Sequence, residues 1–140
     1  TGGFERSVSV SRGLARGDLD SDGDLDLVVT GVAGPVAIYR NDTARAGSWV
    51  MVNAVETAPL RPAIGAVITL RSGERTWSRT ARRGGSYLSS SPPAAHFGVG
   101  EVDRYDAIEI RWPDGSMETF PGGEVNSEVF LARGEGEKVR

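Results

Sequence analysis

Asp18-Leu-Asp-Ser-Asp-Gly-Asp-Leu-Asp26 places five carboxylates at alternate positions of nine residues, with Gly23 among them. Like charges this dense repel one another unless a cation sits between them. A hard divalent ion that accepts six to eight oxygens, above all Ca²⁺, suits the arrangement. Asp18, Asp20, Asp22 and Asp26 are the expected side-chain ligands. Asp24 is expected to offer its backbone carbonyl, and Gly23 to allow the tight turn.

The spacing sets this loop apart from an EF-hand. An EF-hand needs a bidentate Glu at loop position twelve, which counted from Asp18 is Val29. Leu25-Asp26-Leu27-Val28-Val29-Thr30 then reads as a strand, not a helix.

Gly17-Asp-Leu-Asp-Ser-Asp-Gly-Asp-Leu-Asp-Leu-Val-Val29 resembles the FG-GAP/VCBS repeat, the calcium-binding repeat of integrin-like β-propellers, and Tyr39-Arg-Asn41 is similar to the end of one. Beyond it, Ile64-Gly-Ala-Val67, Gly85-Ser-Tyr-Leu-Ser89, His96-Phe-Gly-Val-Gly100 and Ile110-Arg-Trp-Pro-Asp-Gly115 resemble the ASPIC/UnbV domain of cartilage-acidic-protein-like proteins. The resemblance implies a partial repeat over residues 1–43, an ASPIC/UnbV-like β-sandwich over 48–133 and a flexible tail over 134–140. The chain begins at Thr1 without an apolar signal segment, and one repeat cannot close a propeller. We therefore expect the rest of a propeller N-terminal to Thr1, in a larger secreted or surface protein.

Patterning points to an all-β fold. Leu25–Thr30 and Pro35–Arg40 read as a hairpin over Gly31–Gly34. Ser7–Val10 reads as a weak strand and Trp49–Val55 as a strong one. Thr57–Pro62 reads as a loop. Ile64, Ala66, Ile68 and Leu70 alternate onto one face, and Ser72-Gly73 turns the chain into Arg75–Arg82. Ile108, Ile110 and Trp112 point inward between Glu109 and Arg111. Pro113-Asp-Gly115 is a turn, and Met117–Phe120 and Val129–Ala132 complete the strands. Asn41–Gly47 reads as a linker, and Arg133–Arg140 as fraying. Gly84–Gly100 reads mostly as a loop, either with Tyr87 and Phe97 pinning it to the core and its serines bonding its backbone, or with Tyr87, the serines and His96 lining a recognition surface. No stretch keeps a 3.6-residue period, and none is apolar for long enough to span a membrane as a helix.

Composition excludes little but steers the function. Net charge is −3, which argues against a general nucleic-acid binder, and there are no cysteines. Calcium is abundant outside cells and scarce inside, so a weak open loop favours an extracellular, cell-surface or periplasmic place. Arg71, Arg75, Arg79, Arg82 and Arg83 cluster with only Glu74 to offset them. Arg75, Arg79, Trp77 and Tyr87 are the candidate surface for a protein or carbohydrate partner. The same arginines equally suit a solvated outer face paired with Glu109 and Glu118. Trp49 and Trp112 are expected in the core. His96 is the sole histidine, so a hydrolase would need Ser86, Ser89, Ser90 or Ser91 beside it and Asp103 or Asp106 behind it. No Gly-x-Ser-x-Gly elbow exists. The expected function is a calcium-binding, non-catalytic recognition or adhesion module, the alternative is a cap on a propeller, and an enzyme comes third.

Overall fold

The computed structural model describes residues 10–32, 34–44 and 47–139. Among them there are strands and no helix. The chain forms two compact units. One holds the residues before 45 together with Arg83–Pro92, and the other holds Arg45–Arg82 and Pro93–Arg140.

The first unit is a three-stranded antiparallel sheet of β1 (Ser11–Gly17), β2 (Asp26–Gly31) and β3 (Ala37–Tyr39), in that order. The expected hairpin is present as β2 and β3, with Val28 opposite Ile38. Of the expected strand at Ser7–Val10, Ser7 to Ser9 lie outside the described residues, and Val10 lies in no strand. The strand actually paired to β2 is β1, whose Ser-Arg-Gly-Leu-Ala-Arg-Gly carries no apolar alternation. Its outer edge is occupied by the segment 83–92. Leu14 N–H donates to Ser86 Oγ (3.0 Å) and Arg16 N–H to Ser91 Oγ (3.1 Å). Alternate N–H groups of an edge strand point away from its neighbour, so two hydroxyls stand where a further strand would pair. Gly13 leaves room for this approach: a Cβ there would lie 2.5 Å from both Ser89 Oγ and Thr30 Oγ1. The serines thus bond the backbone of β1. Tyr87 does not pin the segment to a core, being 60% exposed with the Arg12 guanidinium 5.9 Å from its ring centroid.

The second unit packs two sheets face to face. The larger has the order β12 (Glu137–Lys138), β10 (Met117–Glu124), β9 (Arg104–Arg111), β6 (Val67–Ser72) and β7 (Arg75–Thr80). The smaller is built on β4 (Ser48–Thr57), which pairs with β11 (Ser127–Ala132) in parallel and with β5 (Leu60–Pro62) and β8 (Ala95–Gly100) antiparallel. Val50, Val52 and Phe97 from the smaller sheet meet Ile68, Leu70, Ile108 and Ile110 from the larger, all fully buried. Trp112 is fully buried beside them, as its alternation with Ile108 and Ile110 predicts.

Several expectations are corrected. Ile64 is 45% exposed because Ala63–Ala66 is a turn, closed by Ala66 N–H to Ala63 O (3.0 Å) with Gly65 at φ 94°; the strand begins at Val67. Thr57–Pro62 contains β5, and Gly84–Gly100 ends in β8, where Ala95, Phe97 and Val99 are buried. The expected fraying from Arg133 does not occur among the described residues: Lys138 and Glu137 pair with Glu118 and Thr119. Trp49 is not core. It lies opposite Gly98 on the outer side of β4, while its neighbours Val50 and Val52 point inward.

Two glycines of this unit should respond oppositely to a side chain. A Cβ on Gly122 would be driven into the carbonyl oxygens of Tyr105 and Asp106, whereas one on Gly98 would meet nothing within 4 Å. Gly122→Ala should cost about 2 kcal/mol or more, and Gly98→Ala no more than about 0.5 kcal/mol, in chemical unfolding.

Candidate metal centre and its surroundings

The acidic loop lies between β1 and β2. Its turn is made by Ser21 (φ 62°) and Gly23 (φ 92°). Asp18 Oδ1 accepts the N–H of Asp22 (3.1 Å) and Oδ2 that of Gly23 (2.8 Å); Asp22 Oδ1 accepts the N–H of Asp24 (2.8 Å). Short Asp side chains bonding the backbone two to five residues on are what curls such a loop. The curl brings one carboxylate oxygen each from Asp18, Asp20 and Asp22 within 4.8 Å of one another. Oxygens around one calcium, at about 2.3–2.6 Å from it, span up to about 5 Å. The three carboxylate oxygens therefore fit part of the shell of such an ion.

Asp24 and Asp26 do not join that group of three. Asp26 opens β2 and is 2% exposed. Its Oδ2 accepts Leu19 N–H and its Oδ1 accepts Asn41 N–H, both at 2.8 Å. The carboxylate ties the start of the loop to the chain that leaves β3. Arg40, next to Asn41, bonds Asp42 (2.7 Å) and stands 3.8 Å from Asp20. Its pKa is raised, first by the hydrogen bond and charge of Asp42 and then by Asp20 and Asp22.

The candidate partner surface divides between the units. In β7, Ser72 faces Arg75, Leu70 faces Trp77 and Ile68 faces Arg79. These three leave the edge strand on its core side, where Trp77 is half-buried while Arg75 and Arg79 stay exposed. Trp77 is half-buried against the core, and the Arg79 guanidinium sits 5.8 Å from the Phe97 ring centroid while donating to Ser78 O (2.9 Å). Of that arginine cluster, Arg71 pairs with Glu109, at 2.8 and 2.9 Å, as the solvated-face alternative expects, and the pair lowers the Glu109 pKa. Glu118 is buried and accepts Gly134 N–H. Tyr87 belongs to the other unit. The candidate catalytic groups have other surroundings. His96 stacks near Trp49 (centroids 6.1 Å apart), Ser86 and Ser91 hold β1, and Asp106 Oδ2 accepts Gly73 N–H (2.6 Å).

Sequence reasoning missed Arg133, which reads as part of a fraying end. Its guanidinium bonds Glu56 (3.2 Å), Asp114 and Ser116 (3.0 Å) and lies 5.8 Å from the Trp112 ring centroid. Ser116 and Arg133 together hold the Asp114 carboxyl down to about 2. Nothing local in Ala-Arg-Gly-Glu signals this, because every partner is distant in sequence.

The strands that carry these groups fall within a known family. Residues 56–138 match the family model described as ASPIC and UnbV. The chain belongs to the ASPIC/UnbV family. It is also 33% identical over 127 residues to human cartilage acidic protein 1, a match covering 84% of this chain and 19% of that protein. The Xenopus tropicalis protein of the same name is 32% identical over 122 residues, covering 82% of this chain and 18% of that relative. This ASPIC/UnbV chain thus spans about a fifth of the length of these relatives.

The two bonded carboxylates, Asp26 and Asp114, can each be tested. Asn in place of Asp26 can accept only one of the two backbone N–H groups, which leaves the other buried and unpaired. Asp26→Asn should destabilise the first unit by about 1–3 kcal/mol even in EDTA, read as faster amide exchange at Leu19 and Asn41. Unchanged protection at both amides would contradict this. Asp114 has a lower pKa folded than unfolded, so its contribution is present above about pH 4 and is lost as pH falls towards about 2. The stability gap between the parent chain and Asp114→Asn should be constant near neutrality and close across that window.

Proposed function

We propose that this chain is a calcium-supported, non-catalytic recognition module of a larger extracellular protein. The observation that carries the reading is the convergence of Asp18, Asp20 and Asp22 on one point of a loop already curled by its own backbone bonds. In this reading the loop and hairpin are an FG-GAP/VCBS-like repeat. The ion takes those three carboxylates and the Asp24 carbonyl, while Asp26 braces the loop through the Leu19 and Asn41 N–H bonds it accepts. Metal binding then appears as stability of the first unit, since only the folded loop presents the ligands together. The extracellular assignment is supported by the relatives named for cartilage and by the calcium concentrations such a loop needs. Protein or carbohydrate is the proposed partner class, met by the arginines and Trp77 of β7.

A second reading, a cap on a propeller with no ligand of its own, is favoured by one observation. The three-stranded sheet leaves Leu14 (43%) and Ile38 (67%) exposed, as is Val36 (60%) just before β3. Ile38 lies opposite Val28 on one face, while Leu14 lies opposite Val29 on the other. A sheet apolar on both faces suits a place between neighbouring blades.

Thermal unfolding in EDTA and in rising Ca²⁺ tests the calcium reading. The melting temperature of the first unit should rise by several degrees and saturate, and Asp22→Ala should abolish the rise. Arg40→Met removes a competing cation near Asp20 and should shift saturation to lower Ca²⁺ by a few-fold. A flat response in the parent chain would defeat the proposal.

A further inference from the structure

A cleft of about 620 Å³ lies in the second unit, where the β9–β10 turn, the first residues of β10, the turn after β11 and β12 come together. That volume lies within the range of about 300–1,000 Å³ of small-ligand sites. Three of its walls matter: Glu118, Arg133 and Lys138.

Glu118 is a carboxylate only 4% exposed. Both of its oxygens share a single donor, Gly134 N–H, at 3.1 and 3.0 Å. A carboxylate has about four lone-pair sites. One shared N–H leaves most of them unserved, in a position where burying charge without a partner is costly. The nearby cations do not answer it. Arg133 is engaged by Glu56, Asp114 and Ser116. Lys138 lies directly across from Glu118 in the strand register, yet it is exposed and makes no ion pair among the described residues.

We infer that this cleft binds a primary ammonium group, with the Glu118 carboxylate as its counter-ion. The chemistry selects an ammonium over a guanidinium. The Gly134 side of the carboxylate is already taken, which leaves room for a compact head with three donors, and the cleft wall beside it carries one planar guanidinium already. Thr57 Oγ1, which lines the same cleft, adds a neutral acceptor. Lys138, opposite Glu118 in the register, is the chain's own ammonium and would compete for the site. The site is independent of the acidic loop and holds whether or not that loop takes a metal.

Amide NMR on the ¹⁵N-labelled chain tests it, with Nα-acetyl-lysine methylamide as the probe and the uncharged norleucine analogue as control. The Gly134 N–H, bonded to Glu118, should shift and saturate with the lysine probe and stay still with norleucine. Glu118→Gln keeps a side-chain oxygen for Gly134 and should weaken binding at least about tenfold. Lys138→Met removes the competitor without touching the core and should tighten binding a few-fold. A Gly134 signal that stays still with the lysine probe in both the parent chain and Lys138→Met overturns the inference. So do equal shifts with norleucine, or an unchanged affinity in Glu118→Gln.

Discussion

Asp26 begins β2 with its charge out of water, and the cost of burying it is met by two backbone N–H groups from places far apart in the chain. Leu19 belongs to the acidic loop and Asn41 to the segment leaving the hairpin. Because one rigid carboxylate serves both, the loop cannot move independently of the sheet. Everything above Asp26 is then short-range: Asp18 folds over Asp22 and Gly23, Asp22 over Asp24, and three carboxylates are left facing one another. The local bonds bring like charges together, and that excess negative charge is the physical ground for the proposed divalent cation.

The second unit rests on apolar alternation instead. β4 is its busiest strand, since β11, β8 and β5 all pair with it, and its inward Val50, Val52 and Ala54 meet the larger sheet across the core. Polar groups close the end of that core. Arg133 gathers Glu56, Asp114 and Ser116 and lies over the Trp112 ring, while Glu118 holds Gly134. The family match over residues 56–138 covers most of this unit and stops short of the acidic loop. Calcium chemistry in the first unit is therefore a separate question from membership of the family.

Sequence was informative where burial has a period. Ile108, Ile110 and Trp112 alternate and are fully buried; Pro113-Asp-Gly115 forms its turn with Gly115 at φ 88°. The convergence of Asp18, Asp20 and Asp22 was legible because the three lie within five residues of one another. The features that escaped sequence reasoning depend on distant partners. Ser11–Gly17 is a strand because β2 and two serine hydroxyls hold it, and neither is visible in Ser-Arg-Gly-Leu-Ala-Arg-Gly. Arg75 and Arg79 share parity, but which face they take depends on the register with β6, and that register sets Arg79 beside the Phe97 ring. Trp49 illustrates the same limit: a tryptophan in a strong strand reads as core, yet parity with Val50 and Val52 assigns it the outer face.

A crystal structure grown in calcium, with anomalous differences measured at a wavelength where calcium scatters anomalously, is the most direct test of the central claim. The account predicts one strong peak at about 2.3–2.6 Å from carboxylate oxygens of Asp18, Asp20 and Asp22, with Asp26 still holding Leu19 and Asn41. An acidic loop without a peak at millimolar calcium, or a peak held by other residues, would contradict it.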